Sequence, residues 1–398
     1  MSHLMNTYGR QPVAFSHGEG VWVWDTEGKR YLDALAGIAV NTLGHAHPKL
    51  TKVLTEQVGR LMHTSNLYRI TAQELAADRI AAISGMDRVF FCNSGCEANE
   101  AAIKLARLYG HNKGIELPSI IVMDQAFHGR TLATLSATGN TKVHKGFEPL
   151  VPGFVRVPFN DIEAVRDVAA RDKSVVAVLV EPIQGEGGIN VSTLEYLRAL
   201  RAECDKHGWL LMLDEVQCGI GRTGKWFAYQ HGSVMPDVIT LAKGLASGVP
   251  IGACVAHGAA ADVFKPGNHG STFGGNPLAA TAALATLDII AEDKLMENAV
   301  KTGAIIREGM AAALSATPGL KQIRGMGLML GIELDRPCGE LVDIARDAGL
   351  LINVTVENVI RLLPPLVLSE AEAKEIVERL ASLVKTFLGK PQPATARG

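Results

Sequence analysis

The stretch that decides the fold is residues 208–252, GWLLMLDEVQCGIGRTGKWFAYQHGSVMPDVITLAKGLASGVPIG. It contains two short apolar runs: residues 210–213 end on Asp214, and residues 238–242 end on Lys243. Apolar runs of this length between breaker residues are typical of strands buried in a parallel sheet. Because the carboxyl ends of parallel strands line the ligand crevice of an α/β protein, we expect Asp214 and Lys243 to face one site.

An acid and a lysine at two such strand ends suit a carbonyl cofactor. A lysine with a lowered pKa can form a Schiff base, and a carboxylate can keep a pyridine nitrogen protonated. The residues lead to the hypothesis that Lys243 carries pyridoxal phosphate (PLP) and that Asp214 pairs with its ring nitrogen. Taken alone, a solvated lysine and a helix-capping aspartate are the commoner interpretations, so the hypothesis depends on the rest of the chain.

The composition is that of an ordinary globular enzyme. The 398 residues are enough for two or three domains, and 47% of them are hydrophobic and 20% charged. A formal net charge of −2 predicts binding neither to nucleic acid nor to an anionic membrane. The six cysteines lack metal-ligand spacing and favour a reducing compartment. No apolar run is long enough to span a membrane and no leader pattern is present, so we expect a cytoplasmic protein.

Short apolar runs alternate with helical patterns from Arg88 onwards, which predicts a mostly parallel sheet covered by helices. Beyond residue 283 a long helical stretch, three strands and a final helix predict a smaller α+β unit, and the tail 391–398 is expected to be disordered. The predicted division is an N-terminal segment packing with the small domain, a large cofactor-binding domain and a small C-terminal domain, at residues 1–60, 61–282 and 283–398.

Three further constellations carry candidate chemistry. Ser94 and Gly95 lie between a predicted strand and a predicted helix, where free N–H groups and the helix dipole favour a phosphate, although a plain helix cap is also consistent. Phe127 could stack on a flat ring and Arg130 could bind a carboxylate, the alternative being a core phenylalanine beside a surface arginine.

The third is Arg361, which lies inside an apolar strand and is costly to bury without an anion. A structural salt bridge and a substrate carboxylate are equally consistent with it, and Glu186 is a candidate partner.

The glycines of residues 219–224 fit the G-x-G-x-x-G dinucleotide pattern. They do not directly follow their strand, and no acidic residue stands about twenty positions further on. Extended to Lys225, the same stretch approaches a phosphate-binding loop, but Trp226 occupies the position that needs Ser or Thr. We reject both patterns and keep a nicotinamide-dependent oxidoreductase as the alternative from another class of enzyme.

Taken together, the chain resembles the class III (ω-amino acid) aminotransferases of PLP fold type I over nearly its whole length. Several long motifs in the right order carry the resemblance: GIAVNTLGHAHP (37–48), FFCNSGCEANEAAIKLAR (90–107), FHGRT (127–131), EPIQGEGG (181–188), DEVQCGIGRTG (214–224), the region of Lys243 and STFGGNPLA (271–279). The resemblance implies an α/β fold, with a large domain built on a mostly parallel seven-stranded sheet and a smaller α+β domain.

The resemblance also implies roles for individual residues. Lys243 binds PLP covalently and then moves the proton, Asp214 holds the ring nitrogen, and Phe127 stacks on the ring. The implied cofactor-binding residues are Ser94, Gly95, Cys96, Phe127, Asp214, Glu215, Val216, Gln217, Lys243 and Thr272. The implied substrate-binding residues are Arg130, Ser271, Glu186 and Arg361. Ser271 and Thr272 are expected to reach across a dimer interface, so the resemblance implies a homodimer with shared active sites.

Within the family, the chain is most similar to the enzymes of arginine biosynthesis that act on N²-acetyl-L-ornithine. Ornithine aminotransferases tend to have Trp at the position of His128 and a Tyr near the position of Gly37. The His and Gly of this chain therefore favour an Nα-acylated substrate over free ornithine. The implied reaction transfers the δ-amino group to 2-oxoglutarate, giving N-acetyl-L-glutamate 5-semialdehyde and L-glutamate. Succinylornithine, ornithine and 4-aminobutyrate remain alternatives. Because only glutamate carries a carboxylate on its reacting carbon, we expect a Glu186–Arg361 pair to open for glutamate and to stay closed otherwise.

Overall fold

A large central sheet, two four-stranded sheets and one two-stranded sheet position the site in the computed structural model, which describes residues 3–390. The tail 391–398, for which we predict disorder, lies outside the described residues. The strands are β1 (Phe15–Glu19), β2 (Trp22–Asp25), β3 (Arg30–Asp33), β4 (Arg88–Cys92), β5 (Ser119–Met123), β6 (Phe154–Val157), β7 (Val175–Val180), β8 (Ile183–Gln184), β9 (Asn190–Val191), β10 (Leu210–Asp214), β11 (Val238–Leu241), β12 (Gly252–Ala256), β13 (Leu320–Met326), β14 (Met329–Leu334), β15 (Leu350–Leu351), β16 (Asn353–Thr355) and β17 (Val359–Leu362).

The helices cover both faces of the large sheet and build much of the C-terminal part. They are α1 (Ala36–Ala39), α2 (Pro48–Val58), α3 (Thr71–Ser84), α4 (Gly95–Asn112), α5 (Leu132–Ala137), α6 (Ile162–Arg171), α7 (Leu194–His207), α8 (Pro277–Glu292), α9 (Leu295–Leu314), α10 (Leu341–Asp347) and α11 (Glu370–Leu388). None of the helices within residues 3–390 has both the length and the apolar character needed to cross a bilayer.

The large sheet has seven strands in the order β4-β12-β11-β10-β7-β5-β6. Neighbours from β11 to β6 are parallel, and β12 runs antiparallel to both β11 and β4. Every residue of β5, β7, β10 and β11 is buried, as expected for strands covered by helices on both faces. The predicted mostly parallel seven-stranded sheet is confirmed.

Two four-stranded sheets connect the ends of the chain. One is antiparallel, with the order β13-β14-β17-β16, and the other joins the N-terminal strands to β15 in the order β1-β2-β3-β15. In the second sheet Leu350 pairs with Leu32, so the N-terminal segment packs against the C-terminal part. The predicted three-part division stays a prediction, and its boundary at residue 283 lies inside α8.

Candidate active site

The site lies at the carboxyl ends of three adjacent strands. Asp214 is the last residue of β10, Lys243 follows β11 by two residues, and Glu181 follows β7 directly. Asp214 is in register with Thr240 of β11, which brings the two strand ends level. Together they contribute to a cavity of about 390 Å³, which we call the inner cavity. Its lining also includes Asn93, Ser94, Gly95, Cys96, Asn99, Phe127, His128, Arg130, Glu186, Val216 and Gln217.

Asp214 is held by a buried hydrogen-bond network. Its Oδ2 accepts from Asn99 Nδ2 at 2.8 Å and lies 2.8 Å from His128 Nδ1, while its Oδ1 accepts from the backbone N–H of Val216 at 3.0 Å. Asn99 is fixed in turn, because its Oδ1 accepts from Thr240 Oγ1 at 2.8 Å. His128 Nε2 is buried and has no hydrogen-bond partner among the described residues. The carboxylate is therefore fixed in orientation before any ligand binds.

Glu181 adds a second acidic group behind the same cavity. Burial raises the pKa of this carboxyl group, and the nearby charge of Asp214 raises it further, although Oε1 and Oε2 accept hydrogen bonds from the N–H groups of Phe127 and Gly185. The raised pKa favours the neutral form of Glu181, so the negative charge offered to a cationic ring nitrogen is that of Asp214.

Lys243 lies in a half-buried position at the wall of the cavity. Its backbone has a φ of +41°, a left-handed conformation that is rare for a residue other than glycine. Burial lowers the pKa of its amino group, the carboxylate of Glu186 opposes this shift, and the charge of Arg361 adds to it. A lysine with a lowered pKa is a better nucleophile near neutral pH because more of it is uncharged.

The start of α4 forms the opposite end of the inner cavity. Ser94 is the N-cap and its hydroxyl oxygen accepts from the N–H of Glu97 at 3.2 Å. The N–H groups of Gly95 and Cys96 lie in the first helical turn, where a helix offers no internal acceptor. A Cβ at position 95 would lie 2.6 Å from Val216 Cγ1, so a glycine is required there. These donors, with the acids at the other end, fit PLP, which has a phosphate and a pyridine nitrogen.

Phe127 and Arg130 lie on the segment that follows β5. Phe127 lines the inner cavity, and the Arg130 guanidinium lies 5.6 Å from the centroid of its ring. Arg130 is exposed to solvent and forms no ion pair with any residue between 3 and 390. The guanidinium is thus available to an anionic ligand.

Arg361 and Glu186 form the predicted pair. The Arg361 side chain is 0% exposed, its Nη1 lies 2.6 Å from Glu186 Oε1, and its Nε donates to Asn353 Oδ1 at 2.9 Å. Nη1 also lies 3.4 Å from Gln217 Oε1, whereas Nη2 is buried and unpartnered in the described chain. Glu186 lies on the loop between β8 and β9 with its side chain 40% exposed. One partner is therefore fixed and the other faces open space.

A second, larger cavity of about 850 Å³ adjoins the first, and we call it the outer cavity. Phe127, Arg130, Glu186 and Lys243 line both cavities. The remaining lining comes from Gly187, from residues 37–38, 125–126 and 139–143, and from the β16–β17 hairpin, residues 354–357. The outer cavity therefore extends from the lysine towards solvent.

Four predicted site residues do not line the inner cavity. Arg361 lies behind its wall, where its Nη1 contacts the lining residues Glu186 and Gln217. The carboxylate of Glu215 accepts hydrogen bonds from the N–H groups of Ala228 and Tyr229, both at 2.9 Å, and burial raises its pKa to about 7. Ser271 and Thr272 line a separate cavity of about 430 Å³, where Asn93 Nδ2 donates to Ser271 Oγ at 3.2 Å. The inner cavity thus groups the other predicted residues and leaves these four outside its lining.

Two residues at the site were missed by sequence reasoning. Glu181 directly follows the apolar run of residues 175–180, just as Asp214 directly follows the apolar run of residues 210–213, so the pattern could have found it. Asn99 lies inside α4, and only the packing of α4 against β10 and β11 brings its amide to Asp214. No local pattern predicts that contact.

The glycine-rich loop at 219–224 is not part of either cavity. Its Arg222 is fully buried and donates to the backbone carbonyl groups of Leu328 and Pro364. The loop therefore packs against the C-terminal part.

Comparisons with known proteins agree with this site. The family model described as "Aminotransferase class-III" matches residues 5–384. The acetylornithine aminotransferase of Nitrosomonas europaea is 62% identical over 388 residues, covering 98% of this chain and 99% of that one. Acetylornithine aminotransferase 1 of Bordetella bronchiseptica is 57% identical over 391 residues, covering 98% of this chain and 100% of that one.

Solved structures give the same result. The ornithine aminotransferase of Toxoplasma gondii ME49 has a TM-score of 0.93 at 36% identity, covering 97% of this chain and 93% of that one. The acetylornithine aminotransferase of Elizabethkingia anophelis has a TM-score of 0.87 at 39% identity, with 97% of each chain covered. The fold is therefore PLP fold type I, and the expectation from the motifs is confirmed. This chain belongs to the class III aminotransferases, a family of PLP-dependent enzymes.

Proposed function

We propose that this enzyme transfers the δ-amino group of N²-acetyl-L-ornithine to 2-oxoglutarate, with PLP bound covalently to Lys243. The products are N-acetyl-L-glutamate 5-semialdehyde and L-glutamate. The observation that carries the proposal is the single inner cavity that Lys243 and Asp214 both line, in a chain 62% identical to an acetylornithine aminotransferase.

Bound PLP supplies an electrophilic carbonyl group and an electron-withdrawing ring. Asp214, oriented by Asn99 and His128, holds a proton at the pyridine nitrogen. The N–H groups of Gly95 and Cys96 at the start of α4 and the Ser94 hydroxyl group bind the phosphate. Glu215, Val216 and Gln217 are the further cofactor-binding residues of the proposal. Lys243 Nζ, with its lowered pKa, accepts the proton from the reacting carbon of the substrate and returns it during the transfer.

The substrate contacts follow from the charges that line the two cavities. Arg130 binds the α-carboxylate of acetylornithine, since its guanidinium has no acidic partner in the described part of the chain. Arg361 binds the carboxylate on the reacting carbon of glutamate after Glu186 moves away. During the acetylornithine half-reaction Glu186 closes on Arg361, so that no uncompensated cation faces a carbon without a carboxylate.

The proposed assembly is a homodimer in which Ser271 and Thr272 serve the partner's active site. Thr272 is exposed, and Phe273 beside it is 59% exposed. The neighbouring segment contacts this region, because Asn66 Nδ2 donates to the Ser271 carbonyl group at 2.9 Å. That segment has four further exposed apolar side chains: Leu61, Met62, Leu67 and Tyr68. An apolar exposed surface beside a site residue supports an interface between two copies.

The test is a set of half-reactions with the pure holoenzyme. We expect visible absorbance from bound PLP that borohydride abolishes. The reduced pyridoxyl group should then be found attached to Lys243. The kcat/KM of the single-turnover half-reaction should be higher with acetylornithine than with succinylornithine, ornithine or 4-aminobutyrate. If one of these three is the preferred amino donor, the substrate assignment is wrong while the family assignment stands.

A further inference from the structure

Five charged side chains line the outer cavity: Arg130, Lys142, Glu186, Lys243 and Glu357. Glu186 is bound to Arg361, and Lys142 Nζ lies 2.7 Å from Glu357 Oε1. Burial lowers the pKa of Lys243, which favours its neutral form. Arg130 is therefore the lining cation without an acidic partner in the described chain. Arg130 can therefore bind one substrate carboxylate, and the described lining has no other unpaired charge for a second substituent of the substrate.

The exposure of these groups gives their order along the cavity. Lys243 is half-buried, whereas the side chains of Lys142 and Glu357 are 79% and 66% exposed. The ion pair therefore lies at the solvent end of the outer cavity. A substrate whose δ-amine is at Lys243 and whose α-carboxylate is at Arg130 places its α-nitrogen substituent towards this end.

Local structure holds both partners of the pair in place. Lys142 lies in a short 3-10 helix, Thr141–Val143, whose N-cap Asn140 accepts from the Lys142 N–H at 3.1 Å. Glu357 lies in the β16–β17 turn with a left-handed φ of +71°, and its carbonyl group accepts from the N–H of Cys338 at 2.8 Å. The two partners come from distant parts of the chain and meet across the opening. Each keeps the other charged, since Glu357 raises the pKa of Lys142 and Lys142 lowers that of Glu357.

We propose that the Lys142–Glu357 ion pair determines acyl specificity by keeping the solvent end of the outer cavity electrically neutral. A neutral acetyl group fits such an end. A succinyl carboxylate would bind Lys142, but Lys142 is already paired with Glu357. The free α-ammonium group of ornithine would bind Glu357, but Glu357 is already paired with Lys142. The inference rests on the proposed function, because it concerns the substituent on the α-nitrogen of an ornithine derivative.

The test uses two variants with opposite expectations. Glu357→Gln frees the Lys142 ammonium group, and Lys142→Met frees the Glu357 carboxylate. For an exposed charge we expect a change of roughly 2- to 5-fold in ratios of kcat/KM. Glu357→Gln should raise the ratio for succinylornithine over acetylornithine and lower that for ornithine over acetylornithine. Lys142→Met should do the reverse, and both effects should shrink at high salt.

Two controls separate this from general effects of mutation. The double variant K142M/E357Q has a neutral solvent end again and should return both ratios to the wild-type values. Glu370→Gln removes an exposed carboxylate that is paired with Lys301, outside both cavities, and should change neither ratio. Visible absorbance of bound PLP checks that each variant is folded and loaded.

The outcomes distinguish the two proposals. A wild-type enzyme that reacts with acetylornithine, and variants whose ratios do not change or change in the same direction, would overturn the ion-pair inference alone. A wild-type enzyme inactive on all three ornithine compounds would overturn the proposed function, and the inference with it.

Discussion

The Glu186–Arg361 pair gives the most direct test of how one cavity serves two different amino donors. In Glu186→Gln the amide can still accept from Arg361 Nη1, but the compensating charge is lost. Breaking an exposed pair costs about 0.2–1 kcal/mol and breaking a buried pair about 3–5 kcal/mol. Arg361 is fully buried and Glu186 is 40% exposed, so an intermediate cost of about 1–2 kcal/mol is expected.

This cost should appear in one half-reaction only. With acetylornithine, the uncompensated guanidinium faces a carbon that has no carboxylate, so kcat/KM should fall about 10-fold, as about 1.4 kcal/mol implies. With glutamate, the substrate carboxylate itself neutralises Arg361, so kcat/KM should stay the same or rise. The assay is single-turnover absorbance of the bound PLP with each amino donor, over a range of substrate concentrations.

A matched control removes a carboxylate from another partly buried Arg–Glu pair. Glu333→Gln breaks the pair with Arg324, which lies outside both cavities. Both variants should lower the free energy of unfolding, but only Glu186→Gln should change the ratio of the two half-reactions. Equal loss in both half-reactions of Glu186→Gln would refute the switching role and leave the pair as a structural salt bridge.

Three further predictions concern the cofactor end of the site. Lys243→Ala should abolish the borohydride-sensitive visible absorbance while PLP still binds non-covalently, as gel filtration and spectroscopy would detect; retained sensitivity would contradict the lysine assignment. His128→Phe removes a hydrogen bond to the Asp214 carboxylate, so the dissociation constant of PLP should rise roughly 10-fold in fluorescence titrations of the apoenzyme. Burial raises the pKa of Glu215 from 4.5 to about 7, so the folded state is stabilised fully below pH 4.5 and loses this contribution as the pH rises through 7. Relative to Glu215→Gln, the free energy of unfolding of the wild type, measured by urea titration, should therefore fall by on the order of 3 kcal/mol between these pH values. If the unfolding free energies of the two proteins change with pH in parallel, the pKa of Glu215 is not raised.

The positions of the proposed catalytic pair are predictable because their signal is local. A short apolar run that ends on a polar residue predicts both a buried strand and the side chain at its end, and this pattern predicts that Asp214 and Lys243 face one cavity, as the structure shows. The strand β12, Gly252–Ala256, was not predicted. Its sequence GACVA consists of small residues without a period, and only pairing with β11 and β4 makes it a strand.

The residue at which a helix begins also depends on contacts with residues around it. The sequence Ser369-Glu-Ala-Glu372 predicts a capping box, which is confirmed, since Ser369 and Glu372 hydrogen-bond reciprocally at the start of α11. The sequence Thr71-Ala-Gln-Glu74 predicts another, which is wrong, because the N-cap is Ile70. There the carboxylate of Glu74 binds Arg69 at 2.8 Å and does not reach back to the N-cap N–H.

The sequence of residues 350–353 predicts one strand, but the structure has two strands there, in different sheets. Leu350 and Leu351 pair with β3 of the N-terminal sheet, and Asn353 begins β16 of the C-terminal sheet. The apolar pattern continues through Ile352 without a breaker, so the sequence carries no sign of the change.

This crossing links the beginning of the chain to the proposed carboxylate-binding arginine. Only Ile352 separates the strand that pairs with the N-terminal sheet from Asn353, whose side chain accepts a hydrogen bond from the Arg361 guanidinium. A rotation of the N-terminal sheet relative to the central sheet would therefore displace the Asn353 side chain and the guanidinium with it. Substitutions in the first strands would then alter not only packing but also the alignment of a carboxylate at the reacting carbon of the proposed reaction.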